Sequence, residues 1–436
     1  MKSIRFFRLT VLAAIVFVLF TACPTTKWNE NDLNQMLVDG FRLQPDGSGG
    51  LIIIGYTGHG GTVVIPNQIN ESPITAIGRR AFVGRNLTSV IIPNSVTSIG
   101  SHAFWINQLT SVIMPNSVTS IGDSAFSINQ LTSIIIPNSV TSIGDWAFSR
   151  NQLTNVIIPD SVVFIGDRAF FWNSNLTEVT VGRSNTHYTS VDGVLFNFDK
   201  TRLILFPPAR EGPYTIPHTV TRIEDVAFAD SRLTSITIPD SVISIGYAAF
   251  RGSRLSSVCI GNSVVSIEDH AFSWNYLVSV NIPDSVTTIG NRAFGRNSLT
   301  SVIIPNSVIS IGDMAFSANK LSSVSLPARI ISIGDLVFSQ NQLTSISIPH
   351  TVRSIGHGAF YRNHLTRVVI PNSVTSIGAS AFYDNQLTTV VIGASVELGW
   401  RSFGWGFEAV YQAYSRAPGT YTRPDINSEA WVRKYD

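Results

Sequence analysis

Three things are scarce in this sequence, and each scarcity excludes something. Cysteine occurs twice in 436 residues, at Cys23 and Cys259, too few for a disulfide framework. Charge is thin: Asp, Glu, Lys and Arg make up 13%, against about 25% in average soluble domains. Only five residues are lysines, the formal net charge is +2, and no basic run occurs, so nothing marks a nucleic-acid surface. Long apolar runs are missing too. The stretch Leu9–Phe20 is twelve residues, short of the 18 or more of a spanning helix.

Convergent chemistry is equally scarce. The eight histidines are scattered; His102 and His270 share a repeat position but lie far apart along the chain. No Gly-x-Ser-x-Gly elbow and no Cys/His metal spacing is present, and the glycines of 55–61 lack a following Lys-Ser/Thr. The sequence therefore points to no catalytic residue, no metal and no cofactor, and to a protein that is not an enzyme. Asp123, Asp145, Asp167, Asp313 and Asp335 each follow a turn glycine, where hydrogen bonding to turn backbone is the expected role.

What is present begins at the N-terminus. Lys2, Arg5 and Arg8 precede the Leu9–Phe20 run, whose length suits a signal-peptide core of about 7–15 residues. Phe20-Thr21-Ala22-Cys23 follows, which resembles a bacterial lipobox with Phe in place of the usual leucine. The reading favoured is a signal peptide over 1–22 and acylation of Cys23, with 23–50 as the segment behind the anchor. A plain secretory signal with an incidental cysteine is the alternative.

The body of the chain is one unit repeated. Ladder phenylalanines Phe82, Phe104, Phe126, Phe148 and Phe170 are each 22 residues apart, and the series resumes from Phe228 to Phe382. Within Leu131–Gln152, Leu131, Ile134 and Ile136 are expected inward and Ser133 and Ile135 outward, the period-2 pattern of a strand that Pro137 ends. Val140 and Ile143 turn inward on the return side, Gly144 supplies a turn, and Ala147-Phe148 plugs the interior at a helical or 3₁₀ bend. From Phe104 onward an asparagine stands three residues after each ladder Phe (Asn107, Asn129, Asn151 and onward), with Ser231 and Ser253 as substitutes. Its amide has the donors and acceptor to satisfy loop backbone that coiling buries. One coil leaves its apolar side bare, so neighbours must stack into a solenoid.

The pattern Leu-x-x-Val/Ile-x-Ile-Pro…Val-x-x-Ile-Gly-x-x-Ala-Phe, running from about Leu51 to Gly393, resembles the leucine-rich repeats of BspA-like bacterial surface proteins. Where family repeats usually carry Cys, this chain carries the Asn ladder. The resemblance implies a right-handed leucine-rich-repeat stack over 51–392 and adhesion to host extracellular or bacterial surface macromolecules, with the membrane reached through a lipid anchor. Three segments break the period. The glycine-rich run 55–61 is expected to cap the N-terminal end. The long coil at 182–217 holds Val191–Phe196 and Leu203–Phe206 as added strands, and its Asp-Gly-Val-Leu-Phe is similar to a segment common in that family. In 393–436, Phe407, Val410, Tyr411 and Tyr414 recur at helical spacing, as a C-terminal cap.

Two sets of residues are candidates for ligand binding. Ile91, Ile113, Ile135 and Ile157 occupy one outward strand position in consecutive coils, which makes either an interaction strip or a stabilising β-branched ladder. Trp105, Phe171, Trp172, Trp274, Tyr361 and Tyr383 follow the Ala-Phe bend, where aromatics suit protein or carbohydrate contact unless they fold back on the coil. A surface binding protein is the first reading of function; an envelope spacer with no specific ligand is the second. For the anchor, Cys23→Ser is expected to move the protein from membranes to the soluble fraction. Unchanged retention, with no lipid mass on the wild type, disposes of acylation.

Overall fold

The computed structural model describes residues 37–434; the signal segment and Cys23 lie outside the described residues. The described chain forms two compact units, 37–173 with 182–187, and 174–181 with 188–434. Both are built from the 22-residue coil.

In the first unit, Ser98–Ile99, Ser120–Ile121, Ser142–Ile143 and Phe164–Ile165 form one parallel ladder on the return side. On the other side Gly61–Val64, Leu87–Ile91 and Ser111–Ile113 pair in parallel, with Ile91 opposite Ile113. Between the ladders lies the core: Leu131, Ile134, Ile136, Val140, Ile143, Ala147 and Phe148 are all buried, as the alternation predicts. The rings of Phe82, Phe104, Phe126, Phe148 and Phe170 stack near-parallel at 4.9–5.7 Å.

The Asn ladder closes each coil. Asn129 donates from Nδ2 to the carbonyls of Phe104 and Phe126, both at 3.0 Å, and its Oδ1 accepts from Leu109 N at 3.0 Å. One buried side chain thus satisfies three backbone groups in two coils. Ser253 replaces only part of this, donating to Phe228 O at 2.6 Å. The turn aspartates bond along the stack rather than within their own turn: Asp145 N donates to Asp123 Oδ1, and Asp167 N to Asp145 Oδ1.

The Ala-Phe bend departs from the expected helical or 3₁₀ turn. It consists of two overlapping β-turns, closed by Ala103 N to Gly100 O and Trp105 N to His102 O. Residues two before and two after the Phe take left-handed backbone, as at His102 (φ 59°) and Ile106 (φ 54°). That alternation aims every second N–H at the next coil: His102 N reaches Asp123 O, Phe104 N reaches Ala125 O, and Ile106 N reaches Ser127 O. A helical turn would spend those donors inside its own coil. Gly144 is needed for close approach rather than for its φ, since a Cβ there would sit 2.5 Å from Asp123 N.

The N-terminal end is covered differently from expectation. Leu37–Val38, Phe41–Pro45 and Leu51–Tyr56 form an antiparallel meander whose last strand joins Ser72–Ile77 in parallel. Phe41 and Tyr56 lie 6.2 and 5.2 Å from Phe82 and cover the Phe stack. The glycine run instead leads into the strand Gly61–Val64.

The second unit opens in the same way. Tyr188–Val191, Val194–Asn197 and Arg202–Leu205 form an antiparallel meander whose last strand joins Arg222–Ile223 in parallel. Its first hairpin turns on Asp192-Gly193, both with positive φ, as Asp39-Gly40 does in the first unit. Phe206 and Tyr214 lie against Phe228 here, and Phe206 is a ladder member that the interrupted series hid. Stacking then runs without a break to Phe382 and on to Phe403, 5.1 Å away, past the expected boundary at 392. The short helix Phe407–Ala413 follows. Phe407 packs on Phe403, Tyr421 and Trp431, while Tyr411 Oη donates to Gly393 O at 2.6 Å. Gly419–Thr422 pairs antiparallel with Thr389–Ile392, and Val432–Lys434 pairs with it in turn, which blocks the last strand edge.

Phe294 is fully buried with rings of Phe272 and Phe316 each 5.4 Å away. Phe294→Ala is expected to cost about 3–5 kcal/mol, with lost hydrogen-exchange protection centred on the adjoining coils. Wild-type protection around residue 294 would contradict the stacked core.

Candidate functional site

Two surfaces arise from the coil. The first is the outward strand position of the first unit. Ile91, Ile113, Ile135 and Ile157 are all exposed, from 36% at Ile91 to 82% at Ile135, while Val90, Ile134 and Val156 beside them are buried. The same position in the second unit alternates in character (Thr237, Cys259, Asn281, Ile303, Ser325, Ser347, Val369, Val391), and no more than two aliphatic side chains follow one another there. Four consecutive apolar side chains are thus confined to one unit.

The second surface is the bend, where the aromatic candidates separate into two classes. Trp172 and Trp274 stand two residues after the ladder Phe, on left-handed backbone, and are exposed. Trp105, Tyr361 and Tyr383 stand one residue after it and are half-buried, and Phe171 in the same position is buried. The six therefore do not form one ridge. Residues two before and two after the Phe line up as two raised columns, and the residue directly after the Phe lies between them. Arginines of neighbouring coils stack on the exposed indoles: Arg150 lies 3.9 Å from the Trp172 ring and Arg296 4.2 Å from that of Trp274. Trp105 instead meets the edge of His102 at 5.3 Å, and the rings of Tyr361 and Tyr383 stack at 6.1 Å.

In the second unit the space between the columns opens into a cavity of about 410 Å³ near Gly295. His270 sits at its edge; burial first, then the charges of Arg292 and Arg251, hold its imidazole below the usual range. Sequence reasoning missed this cavity, although its signal is the small residue after the Phe in four consecutive coils: Ser273, Gly295, Ser317 and Ser339. It also missed exposed apolar side chains at one return-side position, Ile243 and Val265, then Ile309 and Ile331, with Thr287 between the two pairs. Among the described residues no group of three His, Cys, Asp or Glu is placed to hold a metal ion. No helix among them is long and apolar enough to cross a membrane.

Parallel strands at a 22-residue pitch, a stacked Phe core and an amide that closes each coil define a leucine-rich-repeat solenoid. The chain belongs to the BspA-type leucine-rich repeat family: the family described as "BspA type Leucine rich repeat region (6 copies)" matches residues 64–191, 213–317 and 287–404. Among solved structures, a leucine-rich repeat protein from Eubacterium ventriosum is similar with a TM-score of 0.55 and 23% identity, over 75% of this chain and 94% of that one. The pneumococcal vaccine antigen PcpA has a TM-score of 0.52 at 19% identity, over 83% and 97% of the two chains. At these identities the likeness concerns the fold. No match is found among curated proteins.

Proposed function

We propose that this protein is an exported bacterial surface protein, anchored through Cys23, that binds a protein partner of the host or of another bacterium through the strand face of its first unit. The observation that carries this reading is the Ile91–Ile113–Ile135–Ile157 strip, exposed in consecutive coils and absent from the equivalent face of the second unit. A spacer has no need to concentrate apolar side chains on one face, whereas a binding protein does. Membership of the BspA-type family supports the surface location. The similar fold of a protein described as a vaccine antigen agrees with it. A binding scaffold of this kind acts by presenting side chains on a rigid repeat and needs no reacting group.

Energetics are adequate for recognition. Covering four isoleucines contributes several kcal/mol, at about 1.5–3 for each fully buried side chain before the costs of association. The double variant Ile113→Lys with Ile135→Lys leaves the buried Val90, Ile134 and Val156 in place, so its melting transition should match the wild type. Its binding to extracellular-matrix proteins and bacterial surface extracts is expected to be lost. A folded double variant that binds as well as the wild type would reduce the strip to strand packing.

A further inference from the structure

The cavity at the bend belongs to the second unit, whereas the isoleucine strip belongs to the first, and the cavity has its own chemistry. Its floor is the column directly after the ladder Phe, where Ser273, Gly295, Ser317 and Ser339 follow one another. Larger side chains close the run at both ends: Arg251 one coil before and Tyr361 one coil after. The trough thus spans three coil steps, about 14 Å at the ~4.8 Å strand spacing, and is bounded at both ends. Gly295 leaves the floor without a side chain, and an added Cβ would lie tight against Met314 O at 3.3 Å.

The walls are unequal in a way that selects a ligand. On one side stands the Trp274 indole, 52% exposed, with the Arg296 guanidinium against it. Arg292 lines the other side, its Nε 3.0 Å from Met314 Sδ. Neither guanidinium has a carboxylate partner among the described residues, and no acidic residue lines the cavity. The aspartates of the adjoining turns, Asp269, Asp313 and Asp335, belong to the turn ladder, where each accepts from the backbone N–H of the next coil. Ser273, Ser317, Ser339 and the exposed Gln340 complete the lining; Ser273 and Ser339 are buried and donate to the carbonyls of His270 and Leu336, and the Ser317 and Ser339 hydroxyls pair at 2.7 Å.

Backbone recognition is closed to a ligand here. The N–H groups of Trp274, Arg296, Ala318 and Gln340 are already bonded to the carbonyls of Gly295, Ser317, Ser339 and Tyr361. An extended peptide therefore gains no strand pairing in this trough. A sugar ring needs none: it has an apolar face for an indole, hydroxyl edges for the Gln340 amide and the acceptor lone pairs of the half-buried Ser317, and, when oxidised to an acid, a carboxylate for an arginine fork. The volume lies within the range of small-ligand clefts, about 300–1,000 Å³.

We propose that the trough between Arg292 and Trp274 binds a carboxylate-bearing sugar, a single unit or the short end of an acidic glycan. The carboxylate pairs with Arg292 and Arg296, and the ring lies toward Trp274. This site is separate from the strip, so either can fail without the other. Titration calorimetry of the full-length protein with trigalacturonate and with sialyllactose distinguishes a uronate from a sialate source. At least one is expected to bind saturably. The trimethyl ester of trigalacturonate, lactose and triglutamate are expected to bind at least tenfold more weakly. Trp274→Ala and Arg292→Gln alter exposed side chains and should keep the wild-type melting transition, yet each should weaken binding at least tenfold, while Trp172→Ala leaves it unchanged. Failure of both acidic sugars, binding indifferent to Trp274→Ala and Arg292→Gln, or equal binding of triglutamate (an acidic-peptide site) would each overturn the proposal.

Discussion

Everything in this fold depends on one constraint: a coil must satisfy its buried backbone with the coils on either side, every 22 residues. Strands do so on two sides of the coil, but the chain must also turn corners, and corners are where backbone groups are orphaned. The Asn ladder resolves the tightest of these. In Asn319, Nδ2 donates to the carbonyls of Phe294 and Phe316 and Oδ1 accepts from Leu299 N. A thiol at that place offers one weak donor and a weak acceptor, whereas the amide offers two donors and two lone pairs. The phenylalanines on either side keep their ring stacking because the carbonyls between them are held.

The bend obeys the same constraint at a visible cost. Nearly every coil holds two residues in the left-handed region, and most are not glycine: Trp146, Arg150, Met314, Ala318 and Leu336 among them. Each costs about 1–2 kcal/mol in sterics. The return is a set of inter-coil hydrogen bonds in a segment that is not a strand, so the ladder continues around the corner. A surface follows from this geometry. Left-handed residues raise their side chains in two columns, and the residue between the columns decides whether the gap is filled, as by Phe171, or open, as at Gly295. Recognition chemistry can therefore vary coil by coil without touching the core. The strand face has the same freedom, because only alternate positions there pack inward.

Much of this was legible in the residues. The period, the inward Phe and the role of the Asn could be read because each recurs with the same chemistry at the same spacing, and the helix Phe407–Ala413 fell on its apolar period. The tandem turns could not be read: His102, Trp146 and Arg168 carry no composition that announces positive φ. Phe206 stands 22 residues before Phe228, but the Pro207-Pro208 after it replaces the usual sequence and masks the repeat. Phe403 comes 21 residues after Phe382, one short of the period. The separation of Trp274 from Tyr361 onto different parts of the bend is a matter of one residue and one backbone angle. The exposed side chains of Ile243, Val265, Ile309 and Ile331 flank two-residue strands, too short for alternation to be seen.

The most direct test of the coil-to-coil account is residue-resolved hydrogen exchange in an Asn297→Leu variant, which keeps side-chain bulk and removes the amide. Asn297 Oδ1 accepts from Leu277 N at 3.1 Å, and Nδ2 holds the carbonyls of Phe272 and Phe294. The account predicts that the Leu277 amide loses its protection first, together with the corners of the coils at Phe272 and Phe294, while the Leu365 amide, bonded to Asn385 several coils away, exchanges as in the wild type. Unchanged protection at Leu277 would mean that apolar stacking alone closes the coil, and would contradict it.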